Sequence, residues 1–369
     1  MLSMMTPRKL TPNALANDTI TVRTDERFDE ARLAAYLADK LPHADGPLTV
    51  RQFGGGAANL TYLLQYAQPD GPLVEYVLRR PPLGPVAKSA HDMRRESTVL
   101  SVLYQAFALA PRAFHYCADE SIIGADFFVM ERRHGVVVRR EIPSIYDHIP
   151  DAPRQMSAAL VDALADFHAV NYTALGLETL GRPIGFVERQ IEGWYKRWHA
   201  AKAAELPVMD TVYGWLKANM PTASAATLVH NDYKLDNAML AADDPGRIVA
   251  VFDWDMCTLG DPLCDLGALL CYWSEPSDPA YYKAASMMPV DEPRFLSRAE
   301  LVARYAERSG RDVSHIHFYH ALGLYRLAVI IAQIYIRYQR GQTQDQRFAA
   351  FGDMVPRLAQ AAYEIAHKI

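Results

Sequence analysis

The first third of the chain alternates between apolar and polar positions over short runs, which is the period of half-buried β-strands. Clusters of glycine and proline at 54–56 and 69–72 separate these runs and are typical of turns. Two segments of this part have helical spacing instead. The pattern therefore predicts a mostly antiparallel sheet with an inserted helix after its third strand. The predicted strands are 48–53, 60–66, 74–79, 113–118 and 127–131, and the predicted helices are 29–41 and 92–107.

After about residue 135 the apolar positions recur mainly at helical spacing, and strand-like runs occur only within 227–253. A sheet-rich part followed by a helix-rich part indicates an α+β protein with two lobes. We expect a leader segment at 1–28, an N-terminal lobe at 29–132 and a helical C-terminal lobe at 133–369. The predicted helices of the second lobe are 151–171, 187–199, 207–220, 298–308, 317–337 and 348–369.

One polar, charged segment, His-Asn-Asp-Tyr-Lys-Leu-Asp-Asn at 230–237, lies between two apolar runs. Charges beside a buried core are costly, so their presence there calls for a function or a partner. Asp253 follows at the end of the next apolar run, where a strand would hold its carboxylate rigidly. Together, Asp232, Asn237 and Asp253 offer oxygen ligands that suit Mg²⁺ better than zinc. Asp and Asn also commonly cap turns, so a purely structural role for the loop remains the alternative.

The order His-x-Asp-x-Lys-x-x-Asn, followed by a strand-terminal Asp, resembles the catalytic loop and magnesium-binding Asp of protein kinases. The Asp-Trp pair at 253–254 and the Gly-Asp-Pro-x-x-Asp-Leu run at 260–266 are similar to the aminoglycoside phosphotransferase and choline kinase-like family. The Gly-rich run 52–62 and the segment 77–82 resemble the branch with kinase-like domains fused to acyl-CoA dehydrogenases. The resemblance covers about residues 48–271. One departure is Asn231, where the family has glycine; Asn tolerates left-handed backbone angles.

This resemblance implies a protein-kinase-like fold and a phosphotransferase that uses ATP and Mg²⁺. It implies that Asp232 accepts the proton of the substrate hydroxyl or orients it, and that Lys234 lies near the transferred γ-phosphoryl group. Asn237 and Asp253 are the implied magnesium ligands. The implied nucleotide contacts are Gly54, Gly55, Gly56 and Asn59 in a hairpin over the phosphates, Arg79 with its ion-pair partner Glu96, and the backbone of Glu131 and Arg132 beside adenine.

Arg79 occupies the position where the family usually has lysine, and it offers a planar fork of donors instead of a point charge. Strand alternation predicts that Arg79 and Arg80 point to opposite faces of the sheet. The alternative for Arg79 and Glu96 is surface charge in an arginine-rich segment. The resemblance also implies that Asp265 accepts backbone N–H bonds from the catalytic loop and that His230 supports this loop.

Bulk properties limit the partners. A net charge of -5 and a pI of about 6.2 argue against a nucleic-acid partner, which would require a basic surface. The chain has no apolar stretch typical of a signal peptide and no run of about 18 apolar residues, so we expect no membrane segment. Its four cysteines form no disulfide framework, and we expect a cytoplasmic protein. The sequence does not indicate the oligomeric state.

Two functional alternatives remain open at this point. One is a catalytically inactive, nucleotide-binding kinase-like protein. The other is a metal-dependent phosphoesterase using Asp232, Asp253 and His230, which has no need of the Gly-rich hairpin. The expected partner is a small-molecule hydroxyl substrate. Aminoglycosides require an acidic pocket, whereas this chain has aromatic stretches at 194–198 and 272–273, which in most proteins pack as core. Together with the resemblance to the acyl-CoA dehydrogenase branch, they favour a hydroxylated acyl compound or another small metabolite. The choice between ATP and GTP is left open.

Overall fold

The computed structural model describes residues 18–367, except 55–58, 70, 84–91, 223–224, 287 and 344. The chain divides into two compact units, Met1–Val136 and Val137–Ile369. We call them the N-terminal and C-terminal units. The first contains a large antiparallel sheet and the second is mainly helical, so the predicted α+β class is confirmed.

The sheet of the N-terminal unit has six strands in the order β1-β2-β3-β4-β6-β5, and each neighbouring pair is antiparallel. Two helices belong to the same unit, and the side chains of Asp29 and Asp92 cap their first turns. The strands are β1 (Thr19–Ile20), β2 (Leu48–Phe53), β3 (Leu60–Tyr66), β4 (Val74–Arg80), β5 (Ala113–Cys117) and β6 (Phe127–Glu131), and the helices are α1 (Glu30–Leu37) and α2 (Met93–Leu103).

Residues 19–28 differ from the leader expected at 1–28. β1 pairs with the end of β2, Thr19 opposite Phe53 and Ile20 opposite Gln52. The Tyr62 hydroxyl donates to the carbonyl of Glu26 at 2.9 Å, which ties the following turn to β3. A strand of two residues is too short to show a hydrophobic period, and this is why the pattern did not reveal it.

The C-terminal unit contains eight helices among its described residues, and most follow the predicted periodicity. Two helices were not predicted, α6 and α7. Nearly all of α6 is buried, so its sequence is apolar on every side and lacks the amphipathic pattern of a surface helix. The helices are α3 (Ala152–His168), α4 (Phe186–Ala201), α5 (Pro207–Ala218), α6 (Leu263–Tyr272), α7 (Ala280–Ser286), α8 (Arg298–Ser309), α9 (Ile316–Gln339) and α10 (Phe351–His367).

Short antiparallel strand pairs position the polar segment 230–237. β8 (Thr227–Val229), which precedes this segment, pairs with β11 (Thr258–Gly260). β9 (Ala238–Ala241), which follows it, pairs with β10 (Asp244–Val251), and β7 (Val136–Val137) completes that three-stranded sheet. The two pairs therefore hold both ends of the segment 230–237 and both ends of the segment that contains Asp253.

Helix α9 is, by length and composition alone, apolar enough to cross a membrane, the one such helix in the part of the chain that the structure describes. Two thirds of its most apolar window is buried inside the protein, at 67%, as in a core helix. Helices α6 and α9 pack closely against each other, because Gly267 of α6 and Gly323 of α9 have no side chain at the contact. A Cβ atom at Gly267 would lie 2.4 Å from the Tyr319 carbonyl oxygen, and one at Gly323 would lie 2.5 Å from the Cys271 sulfur.

Candidate active site

The buried carboxylate of Asp265, in the first turn of α6, holds the start of the segment 230–237. Its Oδ2 accepts the backbone N–H of His230 at 2.6 Å, and its Oδ1 accepts that of Asn231 at 2.7 Å. Burial alone would raise the pKa of Asp265, but the hydrogen bonds that its carboxylate accepts, from the His168 ring and the His230 backbone, help to lower this pKa below its ordinary value. An ionised carboxylate thus anchors the loop, as the resemblance implied.

His168 of α3 supports Asp265 from the other side. Its Nε2 lies 3.2 Å from Asp265 Oδ2, and its Nδ1 lies 2.7 Å from the Tyr305 hydroxyl. Burial lowers the pKa of His168, although Asp265 opposes this shift. The neutral ring therefore donates from Nε2 to the carboxylate and accepts at Nδ1 from Tyr305.

Both ring nitrogens of His230 form hydrogen bonds with backbone groups. Nδ1 accepts the backbone N–H of Asp232 at 3.2 Å, and Nε2 donates to the carbonyl of Phe252 at 2.8 Å. The residue is fully buried. A histidine with both nitrogens engaged is a structural support and not a general base, which disfavours the phosphoesterase alternative.

The Asp232 carboxylate lies at the centre of a small polar network. Its Oδ2 accepts from Lys234 Nζ at 2.9 Å and from the Asn237 amide nitrogen at 3.0 Å. The same nitrogen donates to the Asp232 carbonyl at 2.8 Å. The side chains of Asp232 and Lys234 remain 19% and 20% exposed, so a ligand has access to both.

Lys234 carries a positive charge in this network. Burial lowers its pKa, but the charges of Asp232 and Asp236 outweigh burial and raise the pKa above its ordinary value. Asp236 Oδ1 is 3.9 Å from Lys234 Nζ, and burial raises the pKa of Asp236. The ammonium also lies 5.2 Å from the centre of the Tyr272 ring. Lys234 is therefore a fixed cation beside Asp232.

Asn237 and Asp253 lie on neighbouring antiparallel segments, because the Asn237 carbonyl accepts the N–H of Phe252 at 2.8 Å. Asp253 has a φ of 67°, which is uncommon for a residue other than glycine and is often found at functional sites. The Asn237 amide nitrogen donates to Asp232, which leaves its side-chain oxygen available to a ligand. Among the described residues no cluster of three or more His, Cys, Asp and Glu side chains suits a metal. An Asn–Asp pair fits Mg²⁺, which usually keeps several waters.

In the N-terminal unit, Arg79 and Glu96 form a buried ion pair at 2.9 Å, with side chains 9% and 0% exposed. The surface-charge alternative for this pair is therefore wrong. Arg80 points to the opposite face, where it donates to the Ile123 carbonyl and the Tyr62 hydroxyl, both at 2.9 Å. Strand alternation predicted this division correctly. The contact of Arg79 with phosphate stays a prediction.

The other predicted nucleotide contacts are the Gly-rich hairpin and the backbone of Glu131 and Arg132. Gly54 follows β2 and Asn59 is buried just before β3, whereas Gly55 and Gly56 lie outside the described residues. The Glu131 N–H donates to the Arg112 carbonyl at 2.8 Å, so this group already has a partner. The predicted adenine contact is thereby limited to the Glu131 carbonyl and the backbone of Arg132. The Arg132 guanidinium itself lies 4.9 Å from the Phe53 ring centre.

Residues 49–295 match the family model described as APH, phosphotransferase enzyme family. The chain belongs to this APH family. Acyl-CoA dehydrogenase family member 11 from Gallus gallus is 30% identical to it over 367 residues, covering 96% of this chain and 46% of that protein. Family member 10 from Mus musculus is 28% identical, covering 95% of this chain and 32% of that protein. The APH-family chain therefore spans less than half the length of these curated relatives.

Among solved structures, a putative aminoglycoside phosphotransferase from Ralstonia eutropha matches with a TM-score of 0.76 and 29% identity, covering 93% of this chain and 99% of that one. Choline kinase from Cryptosporidium parvum has a TM-score of 0.57 at 11% identity and covers 91% and 95%. The ADP-bound aminoglycoside phosphotransferase APH(2'')-Ib has 0.54 at 13% and covers 91% and 99%. The last two show the fold alone. The predicted family resemblance and kinase-like fold are confirmed, and the family supports a kinase-like enzyme.

Arg326 of α9 was not among the site residues predicted for this APH-family chain. Its guanidinium donates to the carbonyl of Asn231, one residue before Asp232, and lies 5.3 Å from the Trp194 ring centre. A signal was present: Arg326 is the only Asp, Glu, Lys or Arg between positions 316 and 336. A single charge within an apolar helix usually has a specific partner.

Asn231 provides a test of the loop conformation. Its φ is 64°, and its side-chain nitrogen donates to the Met256 carbonyl at 2.9 Å. Asn231→Gly and Asn231→Ala both lose this hydrogen bond, but only alanine is strained at a positive φ. We expect the alanine variant to unfold with a free energy about 1 kcal/mol lower than the glycine variant. Urea denaturation measures the difference, and equal stability of the two variants would contradict the left-handed conformation.

Proposed function

We propose that this APH-family chain transfers the γ-phosphoryl group of ATP, in the presence of Mg²⁺, to a hydroxyl group of a small molecule. Asp232 accepts the hydroxyl proton or orients the hydroxyl for attack. Lys234 lies beside it and stabilises negative charge on the transferred group. Positioning and charge neutralisation of this kind carry most of the catalysis in phosphoryl transfer.

The observation that carries the proposal is the state of the Asp232 carboxylate. Lys234 and the Asn237 amide fix its Oδ2, while the side chain stays 19% exposed. No hydrogen bond reaches its Oδ1 from the residues that the structure describes. One carboxylate oxygen is thus held by the loop and the other is left for a substrate hydroxyl, which is the geometry that a catalytic base requires.

Asn237 and Asp253 are the residues that would hold magnesium. When bound, the ion neutralises charge on the phosphates of the nucleotide. Two features of the chain support this assignment. The Asn237 amide is oriented by Asp232 so that its oxygen is available, and Asp253 is kept in a left-handed backbone conformation that costs energy.

On the donor side, we assign the nucleotide phosphates to Arg79, Gly54 and Asn59. Glu96 neutralises and orients Arg79, and a guanidinium can contact two phosphate oxygens at once. Arginine in place of the usual lysine gives a planar contact instead of a single point charge. The buried pair supports this role, because a surface pair would not fix the direction of the guanidinium.

For the acceptor, we favour a hydroxylated acyl compound over an aminoglycoside. The curated relatives are named acyl-CoA dehydrogenases, and this chain matches less than half of their length. A kinase-like part beside a dehydrogenase part is consistent with two steps on related acyl substrates. We propose no nucleic-acid or membrane partner, and the cytoplasmic location stays a prediction.

Isothermal titration of ATP tests this function, with wild type and Asp253→Asn compared in Mg²⁺ and in EDTA. We expect wild type to bind ATP more tightly with Mg²⁺, and Asp253→Asn to lose this metal-dependent part because it lacks the ligand charge. Asp243→Asn is the matched control. Asp243 is an exposed aspartate in the turn between β9 and β10, and Asp253 follows β10.

Two outcomes contradict parts of the proposal. Failure of the wild type to bind ATP means that only the fold is shared with kinases. Binding of ATP and Mg²⁺ without consumption of ATP, in the presence of hydroxylated acyl compounds, choline and kanamycin, indicates the inactive nucleotide-binding alternative.

A further inference from the structure

Two arginines contact one indole ring in the C-terminal unit. The guanidinium carbon of Arg197 lies 4.5 Å from the centre of the Trp194 ring, and that of Arg326 lies 5.3 Å from it. Trp194 is 7% exposed and its indole nitrogen donates to Gln190 at 3.2 Å. We call Trp194, Arg197 and Arg326 the tryptophan–arginine cluster. The indole face holds both cations in place.

Neither arginine of the cluster forms an ion pair with a carboxylate of the described residues. This distinguishes them from Arg304 and Arg308 of α8, which pair with Asp162 and Asp166 at 2.7 and 2.8 Å. Two guanidinium groups held on one ring without an ion-pairing carboxylate favour a positive potential beside that ring. Such a site favours an anion, which arginine can contact through several donors.

The tryptophan–arginine cluster contacts the catalytic loop through Arg326. Arg326 donates to the Asn231 carbonyl, next to Asp232, and approaches the sulfur of Met256 at 4.0 Å. Met256 is 45% exposed and is therefore accessible to a ligand. Met256 follows Asp253 by three positions, so Arg326 contacts one residue of each predicted catalytic segment, Asn231 and Met256.

Tyr272 at the end of α6 connects the cluster with the catalytic charges. Burial and the charge of Asp232 raise the pKa of Tyr272 to about 12, while Lys234 and Arg326 oppose this shift. The charges of Asp232, Lys234 and Arg326 therefore all act on the hydroxyl of Tyr272. Tyr272 thus lies near the catalytic charges, with Lys234 5.2 Å from its ring centre, and within the influence of Arg326.

We propose that the phosphoryl acceptor is an anion and that Arg197 and Arg326 bind its negatively charged group. This inference rests on the proposed function and specifies its substrate class. It separates this chain from kinases of choline and of aminoglycosides, whose cationic substrates the uncompensated arginines would repel. The negative group is either the carboxylate of a hydroxy acid or the phosphates of an acyl-CoA thioester, since both present oxygens that arginine binds.

The experiment uses four hydroxyl compounds as acceptors: 3-hydroxybutyrate, 3-hydroxybutyryl-CoA, the neutral methyl ester of 3-hydroxybutyrate, and choline. ADP release gives kcat and KM, and isothermal titration in the presence of a non-hydrolysable ATP analogue gives Kd. The test variant is Arg197→Gln, because Arg197 is exposed and, among the described residues, no hydrogen bond or ion pair joins it to the catalytic loop. Lys196→Gln is the control, as it removes an adjacent exposed cation of α4 that has no contact with Trp194.

We expect at least one anionic compound to bind, and neither the methyl ester nor choline to bind as tightly. Arg197→Gln should raise the KM and Kd of that anionic compound about ten-fold, the size expected for one lost charge-assisted contact, and leave kcat unchanged. Lys196→Gln should behave as wild type. Binding of the free acid identifies a carboxylate as the recognised group, and binding of the thioester alone identifies the phosphates.

Three results would overturn the anionic-acceptor proposal. These are binding of choline or the methyl ester as tight as that of the anions, an unchanged KM and Kd in Arg197→Gln, and no binding of either anion. In each case, retained binding of ATP with Mg²⁺ leaves the phosphotransferase function standing, so the two proposals fail separately.

Discussion

Asp232→Asn is expected to lower the turnover number by about 10³-fold, the loss typical of a missing general base, and to leave ATP binding near the wild-type level. Neither His230 nor Lys234 can take the proton in its place. His230 uses both ring nitrogens for hydrogen bonds, and the pKa of Lys234 is raised, so it stays an ammonium. Measurement of ADP release with the best acceptor of wild type, and with water as acceptor, determines the loss.

Asp236→Asn is the matched control for this variant. It removes a carboxylate from the same loop and from the same lysine, but Asp236 is 3.9 Å from Lys234 Nζ, whereas Asp232 is at 2.9 Å. We expect it to retain most of the turnover. An Asp232→Asn enzyme that kept more than about a tenth of wild-type turnover, or an equal loss in both variants, would contradict the role of Asp232 as the base.

Asp265→Asn is expected to lower the free energy of unfolding by about 3 kcal/mol, because buried donors lose the charged acceptor that they share. The carboxylate accepts from the backbones of His230 and Asn231 and from His168. An asparagine amide has one oxygen only, so its NH₂ group would face donors. Urea denaturation measures the change. Asp162→Asn is the control, because Asp162 pairs with Arg304 near the surface and should cost less than about 1 kcal/mol.

The same network predicts how stability depends on pH. Burial lowers the folded-state pKa of His168 below its ordinary value of 6.5, so the unfolded chain binds more protons and stability falls as the pH drops below 6.5. The pKa of Asp265 is lowered from 3.8, and its stabilisation is lost as the pH falls below that value. Urea denaturation of wild type at pH 7.5, 6 and 5 checks the first loss; a constant free energy of unfolding would contradict it.

Much of the fold could be predicted because apolar residues recur at a regular spacing along its longer helices and strands. β2, β3 and β6 have the predicted ends, and β4 is one residue longer than expected. The elements that were missed are short or uniformly apolar. β1 has two residues and α6 is buried on nearly all sides, so neither gives an alternating or amphipathic pattern.

The sequence by itself indicated the candidate catalytic segment, because Asp232, Lys234, Asn237 and Asp253 occur in one stretch of chain at a spacing that resembles the phosphotransferase family. It also determined that Arg79 and Arg80 point to opposite faces of the sheet, since side chains alternate along a strand.

Only the tertiary structure decided what surrounds that segment. The contact between Arg326 and Asn231 joins residues 95 positions apart, and that between His168 and Asp265 joins residues 97 apart. Helical periodicity shows which face of α9 or α3 is buried, but it does not show which residue lies opposite. That choice depends on how closely helices pack, as α6 and α9 do through Gly267 and Gly323, and this distance is a property of the assembled core.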